Sequence, residues 1–121
     1  MIKLVYCLVR RADLPPDEFY RYWLNDHAAL VKTVASDIGA VRYVQSHTCL
    51  APTNLALKAA RGLGEPFDGI TELWWNSEAD FLAHMATPAS LAAAQRLQQD
   101  EARFIDFSRS SIFMTTEHPI Y

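Results

Sequence analysis

The sequence predicts an α+β domain in which four strands and two helical crossovers alternate as βαββαβ, giving one antiparallel sheet with the helices on one face. Three observations lead there. Four short runs rich in β-branched and aromatic residues are spread along the chain. Two stretches with helical apolar spacing separate the first run from the second and the third from the fourth. Nothing between them has the composition of a linker, so residues 1–121 read as a single domain.

Each element follows from local chemistry. Ile2 to Val9 is apolar on both alternating sets apart from Lys3, as in a central strand covered on both faces. Pro16 suits a first helical turn, where Asp17 and Glu18 complement the positive end of the dipole. Phe19, Trp23, Leu30, Val31 and Val34 form a stripe from Pro16 to Val34, and "SDIGA" ends the helix with Gly39 as its turn residue. "AVRYVQSH", Ala40 to His47, is the second strand.

Residues 48–68 are the least regular part, with Thr53 placed to cap a short helix over "NLALKAAR" and Gly62 just past its end. A connection of that length in a compact domain reads as a lid, binding loop or flap. "GITELWW", Gly69 to Trp75, is the third strand. Ser77 caps the next helix, Thr87-Pro88 restarts it through about Arg103, and Ser110 to Glu117 is the last strand. Four strands with two crossovers on one face make the split βαβ, ferredoxin-like arrangement. The other sheet face needs a cover, and the doubly apolar first strand predicts that a second copy supplies it, as a homodimer.

Composition narrows the function. A chain of 121 residues buries roughly two-thirds of its unfolded surface, enough for a core without disulfide or metal staples. A net charge of −3 without a Lys/Arg stripe argues against a nucleic-acid partner. The apolar run in "MIKLVYCLVRR" is too short to cross a membrane. Cys7 and Cys49, with no paired spacing, fit reduced thiols and a cytoplasmic location. His27, His47, His84 and His118 lack metal-ligand spacing, so no metal is expected.

The chemistry-bearing candidates are few. His27 lies on the helix stripe, four residues after Trp23 and four before Val31. Burial there suits either a core histidine bonded to the backbone or a neutral general base. Tyr43, Gln45 and His47 share one face of the second strand, either a solvated edge or a site orienting an apolar ligand. Phe19, Trp23 and Phe67 are candidate apolar walls. Glu72 needs a partner in mid-strand, and an ion pair or an interface role competes with catalysis.

"MIKLVYCLVRRADLPPDEFYRYWLNDHAALV", "RYVQSH", "DGITELWW" and "FIDFSRSSIFMTTEH" together resemble the EthD family across nearly the whole chain. The specific matches are W-x-x-x-H-A at Trp23 to Ala28, the Y-V-Q-x-H strand and the D-G-I-x-E-L-W strand. The resemblance implies a dimeric α+β barrel and a cofactor-free protein. It further implies a role near oxidative breakdown of hydrophobic compounds, as in ethyl tert-butyl ether degradation, either as an oxidoreductase accessory that binds a small molecule or as an enzyme.

The wider superfamily contains polyketide cyclases, monooxygenases and lactone isomerases. The methylmuconolactone methylisomerase is similar in its first half, its helix histidine falling on His27 and its strand tyrosine on Tyr43. Its cysteine falls on Leu73, which can do no acid–base work but can line the same wall. The expectation is therefore a small hydrophobic ligand near His27, Tyr43 and His47. The alternatives are a cyclase- or isomerase-type enzyme using His27 and Tyr43, and a purely structural dimer.

Overall fold

The computed structural model describes every residue from Met1 to Tyr121. The chain runs β1 (Ile2–Leu8), α1 (Pro16–Tyr22), a π-helical turn (Trp23–His27), α2 (Ala28–Ile38), β2 (Arg42–His47), α3 (Ala51–Arg61), β3 (Gly69–Trp75), α4 (Glu78–Met85), α5 (Pro88–Glu101), a 3-10 turn (Phe107–Arg109) and β4 (Ser111–Thr116). The sheet order is β2-β3-β1-β4, every pair antiparallel. This is the ferredoxin-like arrangement that the alternation of elements predicts.

The register sorts the two faces. Leu4, Leu73, Tyr43 and Met114 lie in one row, and Tyr6, Thr71, Gln45 and Ile112 in the next, all facing the helices. Val5, Glu72, Val44 and Phe113 form a row on the opposite face. Glu72 there pairs with Lys3 Nζ at 2.8 Å, which gives the mid-strand carboxylate its partner. Phe113 on this face is 49% exposed, so the single chain leaves it uncovered.

The helical layer departs from the expected boundaries in instructive ways. The first helix runs on to Ile38 and is interrupted by the π turn at Trp23–His27. Gly39 ends it at φ 72, the left-handed conformation that glycine adopts without strain. Residues 48–68 hold a longer helix than Thr53 capping would allow. α3 begins at Ala51, with Pro52 in its first turn and Leu50 in the left-handed region at φ 55. Proline already fits a first turn, so the helix starts before Thr53. Gly62 closes α3 as expected, and none of its residues is buried. Ser77 caps α4 through its side chain, as read from the sequence, and at the expected restart Thr87 caps α5 in the same way.

The main core packs Leu8, Phe19, Trp23, Phe104 and Ile105, and a second cluster joins Val34, Ile38 and Ala93 between α2 and α5. The sheet meets the helix closely at Gly69. A Cβ there would lie 2.5 Å from the Trp23 ring and 2.6 Å from the Ser46 carbonyl oxygen. The backbone oxygen cannot swing aside, so Gly69→Ala is expected to destabilise the protein by about 3 kcal/mol. Urea denaturation checks this, and an unchanged midpoint would contradict the close approach.

Candidate functional site

A cavity of about 450 Å³ opens between the sheet and the helices. β1 contributes Leu4, Tyr6 and Leu8, β3 contributes Thr71, Leu73 and Trp75, and α5 closes the far side from Ser90 to Glu101. Seventeen of its 22 lining residues are hydrophobic, and no Lys or Arg is among them. Such a space accepts an uncharged, mostly apolar molecule and orients it through a few polar groups.

His27 and Tyr43 both line this cavity, together with Trp23 and Leu73. His27 is 6% exposed, and its Nδ1 lies 2.7 Å from Asp100 Oδ2 on α5. The carboxylate can only accept, so it holds the proton on Nδ1 and leaves the Nε2 lone pair free. Burial pushes the His27 pKa down, and Asp100 partly opposes that shift. The ring is therefore a neutral imidazole near neutral pH, the form a base needs. Asp100 also accepts a short hydrogen bond from the Tyr22 hydroxyl, which fixes the carboxylate in turn.

Tyr43 is anchored from the sheet. Gln45 Nε2 donates to its phenolic oxygen at 2.6 Å and to the Trp23 carbonyl at 2.7 Å. Burial pushes the Tyr43 pKa up, opposed by donors from Gln45, Trp23 and Thr71. The phenol stays protonated and can donate to a ligand. Trp23, fully buried, has an indole N–H without a well-aligned acceptor.

The other expected site residues fall outside the cavity lining. His47 stacks on the Trp23 ring at 4.4 Å and donates from Nε2 to Gln45 Oε1 at 2.8 Å. Gln45 spends its amide on Tyr43, Trp23 and His47, which makes it a support for Tyr43. Both share the face of Tyr43, but Trp23 lies over that end of β2 and excludes a ligand. Phe19 points into the core against Trp23 and Phe104, and is wholly buried. Phe67 is 38% exposed beyond α3, away from the cavity.

Six polar residues in or beneath the cavity escape the sequence reading: Tyr6, Thr71, Ser90, Gln98, Asp100 and Glu101. Glu101 faces the cavity alongside Tyr6, and its pKa is pushed up to about 7, chiefly by burial and further by the neighbouring Asp100 charge. The one sequence signal was the Asp100-Glu101 pair in the last turn of α5. Two acids there face the negative end of the helix dipole, a placement that costs stability. No group of three or more His, Cys, Asp or Glu side chains is placed to hold a metal ion.

The EthD domain model matches residues 11–108, which include the π turn, Tyr43 and the Asp100-Glu101 pair. The chain belongs to the EthD family. Among solved structures, this EthD chain is similar to an ethyl tert-butyl ether (EthD) family protein from Bacillus halodurans, with 18% identity, a TM-score of 0.63, and 98% and 99% of the two chains covered. A dimeric protein of unknown function and ferredoxin-like fold from Bacteroides fragilis matches at 12% identity and a TM-score of 0.57, over 94% of this chain and 93% of that one. SnoaB, a cofactor-independent oxygenase from Streptomyces nogalater, matches at 15% identity and a TM-score of 0.53, over 98% and 93%. At these identities the likeness is one of fold. No curated protein matches the sequence. No helix of the EthD chain is long and apolar enough to cross a membrane.

Proposed function

We propose that this EthD protein binds a small hydrophobic organic molecule between sheet and helices, and serves as an oxidoreductase accessory in oxidative degradation of the ether-degradation type. The observation that carries this reading is the cavity itself, apolar on most sides and without a cation, with His27 and Tyr43 on its wall. The uncovered face around Val5 and Phe113 supports a homodimer, since a buried partner sheet would remove that apolar surface from water. A purely structural dimer would have no use for the cavity.

Binding is read by titrating 2-tetralone, a neutral bicyclic ketone, against the fluorescence of the lining Trp23 and Trp75. The expected result is saturable quenching. Ala94, exposed at the cavity wall, allows the control. Ala94→Trp fills ligand space and should weaken binding at least ~10-fold, the cost of losing a good apolar fit, with the melting temperature retained. Absence of saturation, or indifference to Ala94→Trp, would overturn the reading.

A second reading, a cofactor-independent cyclase- or isomerase-type enzyme, is favoured by the Asp100–His27 pair with its free Nε2. The fold shared with a cofactor-independent oxygenase adds support. In this reading His27 takes the proton and Tyr43 orients the reacting oxygen.

A further inference from the structure

Asp100 and Glu101 are consecutive residues at the end of α5, yet they sit in different surroundings. Asp100 turns to His27 and Tyr22 and accepts a hydrogen bond from each. Glu101 turns to the cavity, which Tyr6 also lines. Two acids at the negative end of a helix, one in a cation-free apolar cavity, are a poor choice for stability alone. One orients a base, and the other is available to a ligand.

Resting on the reading that this cavity binds a small molecule, we propose that Glu101 is a proton donor to a ligand's carbonyl oxygen, acting together with His27 on the same cavity wall, and that the pair interconverts keto and enol forms of a neutral ketone or lactone. A proton leaves the carbon beside the carbonyl for Nε2 of His27, and the C–H electron pair becomes the C=C bond of the enol. The carbonyl π pair takes the Glu101 carboxyl proton and becomes O–H, leaving a Glu101 carboxylate and an imidazolium beside Asp100. Reversing both transfers restores the ketone, so no oxidant or reductant enters. Delivery of the imidazolium proton to a different carbon of the enol would complete an isomerisation.

The titratable groups around Glu101 are Tyr6 on β1, Tyr43 on β2, His27 on the π turn and Asp100 beside it on α5, while β3 contributes the uncharged Thr71. Both tyrosines are pushed up by burial, so neither phenol competes with the carboxyl as an acid near neutral pH. Glu101, at about 7, keeps its proton in about half of the molecules at neutral pH and in more below it, and His27, pushed down, is free of one.

The test is deuterium uptake into 2-tetralone beside its carbonyl in D₂O, followed by proton NMR, with tryptophan quenching as the record of binding. The wild-type protein should accelerate exchange, with the rate falling above about pH 7 as Glu101 ionises. Glu101→Gln keeps a hydrogen-bond donor but has no proton to transfer. It should bind 2-tetralone as well as wild type, exchange about 100-fold more slowly, and lose the high-pH fall. Binding without accelerated exchange in wild type, or an unchanged rate and pH profile in Glu101→Gln, would overturn the proton-donor role and leave the binding reading standing. Failure of 2-tetralone to bind wild type would remove both.

Discussion

Trp23→Ala is expected to cost about 4 kcal/mol of stability, a typical loss when a wholly buried tryptophan is truncated. The indole is fully shielded, stacks on His47 at 4.4 Å, meets Phe19 at 5.6 Å and covers Gly69. Alanine would leave a void bounded by the sheet backbone, which cannot collapse to fill it. Domains of this size have about 5–15 kcal/mol to lose, so the variant should melt roughly 15 °C lower. Ligand binding should fall as well, because the same ring walls the cavity. Pairing the substitution with His47→Ala should give less than the sum of the two single losses, since His47 packs on the removed ring. A melting temperature within a few degrees of wild type would show that Trp23 is not the keystone between helix and sheet.

Glu101→Gln should stabilise the protein at pH 8 and do little at pH 4. Burial raises the Glu101 pKa from 4.5 to about 7, so the folded chain holds this proton more tightly than the unfolded one. The favourable contribution is complete below 4.5 and is lost as pH rises through about 7. That interval corresponds to about 3 kcal/mol, which glutamine, having no proton to release, does not lose. His27 works in the other direction. Its lowered pKa gives stability that is present above 6.5 and lost as pH falls through its folded value. The His27 contribution is common to both proteins and cancels in their difference. Melting curves of the two proteins from pH 4 to pH 8 check the result, and parallel curves would show that the carboxyl is not desolvated. A stability gain combined with lost proton exchange would mark Glu101 as a residue kept for function at a cost in stability.

The helix stripe shows how closely sequence and structure correspond. Phe19, Trp23, His27 and Val31 are four residues apart at each step, and all are buried. In a regular α-helix each such step drifts by about 40°, which would carry Val31 well off the face of Phe19. The π turn at Trp23–His27 takes up that drift, being wider by one residue than an α-turn. Repeated four-residue spacing was thus a legible sign of a widened turn, set where Trp23 and His27 meet the cavity.

The strand face holding Tyr43, Gln45 and His47 was legible by parity, and its alternatives were a solvated edge or a ligand site. The structure divides it. Tyr43 reaches the cavity, whereas Gln45 and His47 lie under the helix and hold Tyr43 and Trp23 in place. Phe67 was drawn inward by its hydrophobicity alone, and the length of α3 carries it to the surface instead. Asp100 and Glu101 read as ordinary polar helix residues until α5 is laid across the sheet.

By itself the sequence determined the alternation of strands and helices, the cap at Ser77, the helix restart at Thr87-Pro88, the histidine on the buried stripe and the parity that separates Leu73 from Glu72. These depend on periodicity and capping, which act over a few residues. Only the tertiary structure decided that Asp100 grips His27 from 73 positions away in the chain, and that Glu101 and Tyr6 line one apolar cavity. Those pairings arise from the crossing of α5 over the first helix and the sheet. A long-range contact between polar side chains leaves no local pattern in the chain that makes it.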